Sequence, residues 1–581
     1  MFFLVFLPYL LLCRFKNKRE GFFILTLCIV AIQLFIALIT QAFGIGLYSV
    51  VVGLNVLVGL ACVIIFFKSH WKSFVRQHYT FQWYVPIFFV LIFSCLFSVH
   101  YNYSGAVSQV LGRSQVVSMQ YPYPYFSDEW LGVALANYSI TSHHLPLVNP
   151  LLPNTPYEYF VFGFYSLLAE LFLLMGFQPL LYYAAFALAA GFAVCFLVYQ
   201  VLRAYEVSPL GAILSAVGML YVVNGANLPG LWYLLPFNAG FIVFLIMLGL
   251  MAYRCSGFAV FAAVLSFILY PPLIVFIAPA FLGYLYRISH LEWRMVAKSA
   301  GIFLLAALAI LVVGWLSLSK ASFASSFHSA WILVVRGASD GGIVSFPLWV
   351  IVPFPFYLLV LYAFYLKWKS CPEMLYPILV GLLFWSVYAY SLSVFVIDYS
   401  RIAAITSWLI VLAAGFAIDP LIAFSSKYPK SKNAAIAFLL FFFLVSMLFY
   451  TDGQRWKNLT LFIPNKGENI TVNPAAPASQ YLTNEDLLLF QGITRQYFLA
   501  PSWKGLVIGA ATDNYPLDSK ESTIANHILN YDQFSAASCV QKYAMVQKRH
   551  IPYVYSTPFT CDFFTPIGQS SEGLVLYNVR L

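Results

Sequence analysis

Charge is what this sequence has least of. Lys, Arg, Asp and Glu make up 9% of its 581 residues, against about 25% in soluble globular chains. With a mean hydropathy of +0.83, no soluble fold of this size can hide the apolar surface, so lipid is the solvent for most of the chain. Cysteine is sparse and scattered. Seven of the nine sit in or beside apolar segments, where a thiol packs as a small hydrophobe. Only Cys539 and Cys561 fall together in a polar region, and a disulfide between them fits an oxidising, extracytoplasmic setting. Neither HExxH nor CxxC nor a comparable metal-ligand spacing occurs, and there is no internal repeat or low-complexity tract. No basic stretch precedes the first apolar run, at 2–13. That argues against a cleavable signal peptide and for a membrane helix at the start, or for an incomplete start.

What is abundant is apolar and aromatic, at 62% and 19% of residues. Aromatics at that level suit wide interfacial belts. Apolar stretches predict helices at 22–43, 46–67, 84–100, 180–202, 209–223, 234–252, 257–270, 272–287, 300–319, 347–366, 375–397, 402–424 and 433–450. With 2–13 this makes an α-helical polytopic membrane protein of about 13–14 spans. Tyr270-Pro271-Pro272 breaks the run 257–287 into two helices or one kinked one.

Basic residues orient the bundle. Residues 1–451 hold 21 Lys and Arg, and 17 of them fall in alternate loops from Arg14–Arg19 to Lys427–Lys432. Those loops are cytoplasmic by the positive-inside rule. The net charge of +10 is thereby explained without nucleic acid. Arg113, Lys320, Arg336 and Arg401 are left on the other side. The apolar segment 159–176 upsets this alternation if it spans. It reads better as a juxtamembrane or re-entrant helix on the outer side, in keeping with Glu170 inside it.

Four regions follow: an N-terminal helical group (1–100), a long polar outer loop (101–160), the remaining helical bundle (161–450), and a polar C-terminal part (451–581). The last reads as an extracytoplasmic α/β domain. A helix is expected over Glu485–Gln496, and strands over Gly505–Gly509, Tyr553–Tyr555 and Gly573–Tyr577.

The outer loop concentrates chemistry. It runs Tyr121-Pro-Tyr-Pro-Tyr-Phe126-Ser-Asp128-Glu129-Trp130, then on to His143-His144-Leu-Pro146 and Asn149-Pro150. Asp128-Glu129 has two readings. One carboxylate takes a proton from a bound hydroxyl while the other shapes the turn or holds a metal, or Ser127 or Asp128 simply caps a helix over 130–138. Likewise His143 and His144 either contact sugar hydroxyls or phosphate, or form an interfacial turn. Asp398-Tyr399-Ser400-Arg401 lies between two spans on the same outer side as Asp128. Arg401 is either a planar fork for phosphate or the partner of Asp398 in a tight turn. The outer segment 321–346, with His328, Arg336 and Asp340 before Gly341-Gly342, is a substrate-contacting lid or a plain connector. Asn102, Asn137, Asn458 and Asn469 open N-x-S/T sequons in outer segments.

An outer loop with an aromatic-flanked Asp-Glu, a helix, and a His-x-Pro-x-x-Asn-Pro-like stretch resembles the GT-C superfamily of membrane glycosyltransferases. This group includes protein O-mannosyltransferases and aminoarabinose transferases. The order of parts agrees over most of the chain. The tail, with Tyr515-Pro516 and Pro552-Tyr-Val-Tyr555 before a closing strand, is similar too. The resemblance implies an inverting transferase using a polyprenyl-phosphate-linked sugar, with a glycan, lipid or protein acceptor. Asp128 would be its general base, Glu129 the neighbour in the acidic motif, and Arg401 a contact to the donor phosphate. A divalent cation is admitted by this chemistry but not indicated. The rival classes are a transporter or flippase, which would place ionisable groups near the midplane, and a polysaccharide polymerase or ligase of another membrane fold. A non-enzymatic assembly subunit is the third alternative.

Overall fold

In the computed structural model of the chain, residues 2–69, 82–101, 105–110, 113–118, 124, 127–152, 161–222, 231, 233–288, 352, 354–391, 399–426, 482–519, 529–570 and 572–580 are described. The expected spans at 300–319 and 433–450 lie outside them.

The apolar runs form helices close to the expected bounds. After a short helix at Phe2–Phe6 and a 3-10 stretch at Leu7–Arg14 come α1 (Lys18–Ala42), α2 (Tyr48–Ser69) and α3 (Tyr84–Tyr101). Asn17 starts α1, its side chain accepting the Arg19 and Glu20 backbone N–H groups. A hairpin, β1 (Gly105–Val110) with β2 (Arg113–Ser118), precedes α4 (Ser127–Ser142) and α5 (Phe162–Met175). The bundle continues through α6 (Pro179–Ala204), α7 (Pro209–Gly218), α8 (Pro236–Ala252), α9 (Ser256–Leu269) and α10 (Ile274–Ile288). It closes with α11 (Phe354–Lys367), α12 (Pro372–Ser391) and α13 (Tyr399–Ser426). Proline opens α6, α7 and α8, where its missing N–H costs nothing. At Tyr270-Pro271-Pro272 the chain breaks, as expected, into α9, a 3-10 turn at Pro271–Leu273, and α10.

Among the described residues, five helices are long and apolar enough to cross a bilayer: Lys18–Ala42, Tyr48–Lys68, Pro179–Ala204, Pro271–Ile288 and Arg401–Leu421. Shorter apolar helices stand beside them. The chain is an integral membrane protein. Phe35, Leu57, Val90, Leu361 and Leu383 are exposed on the helical body, as lipid-facing side chains are. The helix α13 is the opposite case. From Ile402 to Ile418 nearly every side chain is buried, so it sits at the centre of the bundle with Arg401 at its N-terminal end. Two polar staples hold helix ends together away from that end. Arg287 pairs with Glu373 at 2.8 Å and Tyr205 donates to the same Glu373 oxygen at 2.7 Å, while Asp419 accepts from the Ser208 backbone and hydroxyl.

The polar C-terminal part is a small α/β domain. Its mixed sheet has the order β4-β3-β5-β7-β6, made from β3 (Tyr497–Leu499), β4 (Tyr515–Pro516), β5 (Tyr553–Ser556), β6 (Phe564–Gln569) and β7 (Val575–Val579). The first three strands run parallel, and β7 pairs antiparallel with β5 and β6. Cys539 and Cys561 are bridged, with Cα atoms 5.5 Å apart.

Three expectations for this domain need correction. The stretch Gly505–Gly509 is not a strand but the middle of α15 (Ser502–Thr512), which follows α14 (Asn484–Leu489). Lys504 through Ala510 are all buried, and a helix buried on every side shows the same continuous apolar run as an inner strand. The helix expected to reach Gln496 stops at Leu489, because Gly492 and Arg495 take positive φ and turn the chain into β3. The closing strand begins at Val575 rather than Gly573, whose φ of 83° places it in the preceding turn.

Candidate functional site

Helix α4 organises the site. It packs on α5 and α6 on one side and on α15 of the C-terminal domain on another. Trp130, Leu131, Val133, Ala134, Leu135 and Ala136 are all buried, so it is apolar nearly all round, as a helix enclosed by protein is. Gly132 permits the close approach to α6, since a Cβ there would lie 2.5 Å from the Tyr183 hydroxyl.

Asp128 and Glu129 occupy the first turn of α4, where negative charge is favoured by the helix dipole. Adjacent helical residues point about 100° apart, and these two go separate ways. Asp128 faces Arg401 of α13, whose Nη2 donates to Asp128 Oδ2 at 2.9 Å. The two side chains are 27% and 20% exposed, so both remain reachable from outside. The guanidinium carbon also lies 5.9 Å from the centre of the Phe237 ring. Phe237 in turn stacks on Trp408 at 5.5 Å.

Glu129 turns inward and is 2% exposed. Its Oε1 accepts the backbone N–H of Leu234 at 2.9 Å, and the Tyr183 hydroxyl donates to the Leu234 carbonyl at 2.7 Å. The backbone of Leu234 is thus gripped on both sides, at the N–H of one peptide and the C=O of the next. That residue leads directly into α8 and its Phe237, beside Arg401. Reading the sequence did not find Leu234, Tyr183 or Phe237, because backbone groups and long-range aromatic contacts leave no local signal.

The other expected site residues lie elsewhere. His143 and His144 follow the C-terminal end of α4, about 22 Å of helix from Asp128 at 1.5 Å per residue. His143 has a φ of 63°, and its Nδ1 is 3.2 Å from the Gly46 carbonyl oxygen. His144 lies so close to Gly44 that a Cβ there would meet its ring at 2.6 Å. The histidines therefore brace the loop between α1 and α2, and are not brought to the Asp128–Arg401 pair. Tyr399 opens the first turn of α13, two residues before Arg401. Asp398, Arg336 and His328 lie outside the described residues, so the ion pair found for Arg401 is with Asp128.

The described donor set does not suit a divalent cation at this position. Asp128 is engaged by a guanidinium and Glu129 by a backbone N–H. No three His, Cys, Asp or Glu side chains converge among the described residues, whereas divalent cations draw on several oxygen ligands.

No family model matches this chain, and no curated protein matches it. Solved structures do. The apo oligosaccharyltransferase of Archaeoglobus fulgidus aligns over 83% of this chain and 70% of its own, at 13% identity and a TM-score of 0.50. ArnT from Cupriavidus metallidurans, bound to undecaprenyl phosphate, aligns over 85% of this chain and 97% of its own, at 11% identity and a TM-score of 0.46. Both belong to the GT-C superfamily of membrane glycosyltransferases. This chain has the GT-C fold. The assignment rests on the archaeal oligosaccharyltransferase, and at 13% identity the likeness is one of fold. On this fold, the acidic first turn of α4 and the Arg of a later helix meet across 273 residues.

Proposed function

We propose that the chain is a glycosyltransferase that moves a sugar from a polyprenyl-phosphate-linked donor to a hydroxyl or amine acceptor on the extracytoplasmic face. The observation that carries this reading is the Asp128–Arg401 pair, 2.9 Å apart, partly exposed, on a GT-C scaffold. The positive-inside count supports an extracytoplasmic location for it. Packing of α15 on α4 supports the same side for the C-terminal domain.

The chemistry needs two things. The bond from the anomeric carbon to the phosphate oxygen breaks, and its electron pair leaves on a phosphate anion. Arg401 stabilises that charge through its planar donors. The acceptor oxygen or nitrogen attacks the anomeric carbon from the opposite face, inverting it, and its proton passes to the Asp128 carboxylate. In the absence of donor, Arg401 is held by Asp128. A donor phosphate competes for the guanidinium, and its arrival releases the carboxylate toward the acceptor. Glu129 positions this arrangement by fixing the first turn of α4 to the peptide that leads into α8.

Binding of a short-chain polyprenyl phosphate to purified protein tests the reading. Arg401→Ala is expected to weaken binding at least about tenfold, the loss of one charge-assisted contact. Arg401→Lys should fall between, keeping the charge but not the fork. Unchanged affinity in Arg401→Ala removes Arg401 from the donor site.

A further inference from the structure

Arg401 is held by more than Asp128. A column of aromatic rings joins α8 to α13 and ends at its guanidinium. The guanidinium carbon is 5.9 Å from the centre of the Phe237 ring, within reach of a cation–π contact. That ring lies nearly parallel to the Trp408 indole, at 5.5 Å and 13°. Phe241, one turn further along α8, meets the same indole at 4.8 Å, and Tyr270 meets Phe237 edge-on at 6.2 Å. Arg401 and Trp408 stand about two turns apart on one face of α13, and Phe237 is wedged between them. Phe237 and Trp408 are 1% and 0% exposed, so the column has a buried base, while Arg401 is partly open to solvent.

The backbone that carries Phe237 is fixed as well. Glu129 and Tyr183 hold Leu234. The Asn238 side chain accepts the Leu235 N–H at 3.1 Å, and Pro236 opens α8 with its φ preset. A ring held in this way is in place before any ligand arrives.

The kind of contact matters. A carboxylate such as Asp128 engages the N–H donors of a guanidinium, which are the groups a phosphate needs. An aromatic face attracts the charge and leaves those donors in the guanidinium plane unused. Phe237 therefore holds the arginine without competing for its fork.

We infer that Phe237, backed by Trp408, is a positioning residue for Arg401. Its ring is the floor on which the guanidinium rests while the N–H donors exchange Asp128 for the donor phosphate. This rests on the reading of Arg401 as the contact to that phosphate.

The test replaces Phe237 with mono-, di- and trifluorinated phenylalanine in the full chain and measures binding of a short-chain polyprenyl phosphate. Fluorine nearly keeps the shape of the ring while draining negative charge from its face, so packing is held and the cation–π contact is varied. Affinity should fall stepwise, by roughly fivefold at the trifluorinated ring. Phe237→Leu, which removes the ring face and keeps an apolar side chain, should lose at least as much. The same series in an Arg401→Ala background should be flat. Constant affinity along the series, with Arg401→Ala weakened, overturns the role of Phe237 and leaves the donor site standing. An equal decline with and without Arg401 also overturns it, since that is the mark of altered packing. If Arg401→Ala alone binds as well as wild type, the donor-site reading fails and this inference falls with it.

Discussion

Removing the Glu129 carboxylate separates positioning from chemistry. Its Oε1 accepts the Leu234 N–H at 2.9 Å inside a 2%-exposed environment. Glu129→Ala leaves that donor buried without its acceptor, at a cost of about 1–3 kcal/mol. The lost apolar stem adds roughly 1 kcal/mol, for a total of about 2–4 kcal/mol. Glu129→Gln keeps an acceptor of the same shape. It trades a charge-assisted bond for a neutral one, at about 1 kcal/mol or less. Stability should therefore fall in the order wild type, Gln, Ala. Thermal unfolding of purified protein reads that order, and hydrogen exchange at the start of α8 should rise in the Ala variant. Sugar transfer should largely survive in Gln and drop in Ala as the peptide before Phe237 loosens. If Glu129→Gln loses transfer as completely as an Asp128 variant while its stability and exchange stay at wild-type values, Glu129 takes part in the chemistry and the positioning argument is wrong.

The C-terminal domain offers two further tests. Lys504, fully buried, lies 2.5 Å from Asp486 and 2.8 Å from Glu572, so Lys504→Met strands two buried carboxylates. A loss of about 3–5 kcal/mol is expected at pH 8, and a smaller one at pH 5, where the Glu572 carboxyl, raised by burial, escapes by taking a proton; urea titration of the whole chain checks both. Burial pushes Glu572 up to about 7, with Lys504 opposing. A raised carboxyl pKa favours the folded state below the unfolded value, and that advantage is lost as pH rises through the folded value. Wild-type stability should thus decline from about pH 4.5 to 7, by roughly 3 kcal/mol at most. Glu572→Gln should flatten this slope, and a variant with the wild-type slope refutes the assignment.

Much of this architecture is legible in the residues. Apolar runs located the helices to within a few positions, and Tyr270-Pro271-Pro272 marked a true break. Charge alternation put Asp128 and Arg401 on one side of the membrane, which is as far as a local pattern reaches. That they form an ion pair depends on the packing of α4 against a bundle whose central helix lies 273 residues away. The division of labour within Asp128-Glu129 was not legible, because the partner of Glu129 is a backbone N–H. The histidines misled for a related reason. Proximity in sequence suggested a shared site, but a 16-residue helix carries its two ends far apart. Gly505–Gly509 failed where periodicity itself fails, in a segment buried on every side.

The most direct test of the account is transfer by Asp128→Asn. The purified variant is assayed for movement of labelled sugar from the host's polyprenyl-phosphate-sugar pool, beside its affinity for a short-chain polyprenyl phosphate. Loss of a general base costs about 10²–10⁴ in rate. The account predicts transfer down by that factor or more, with lipid-phosphate affinity unchanged or tighter, since Asp128 no longer competes for Arg401. Near-wild-type transfer by a correctly folded Asp128→Asn protein contradicts it.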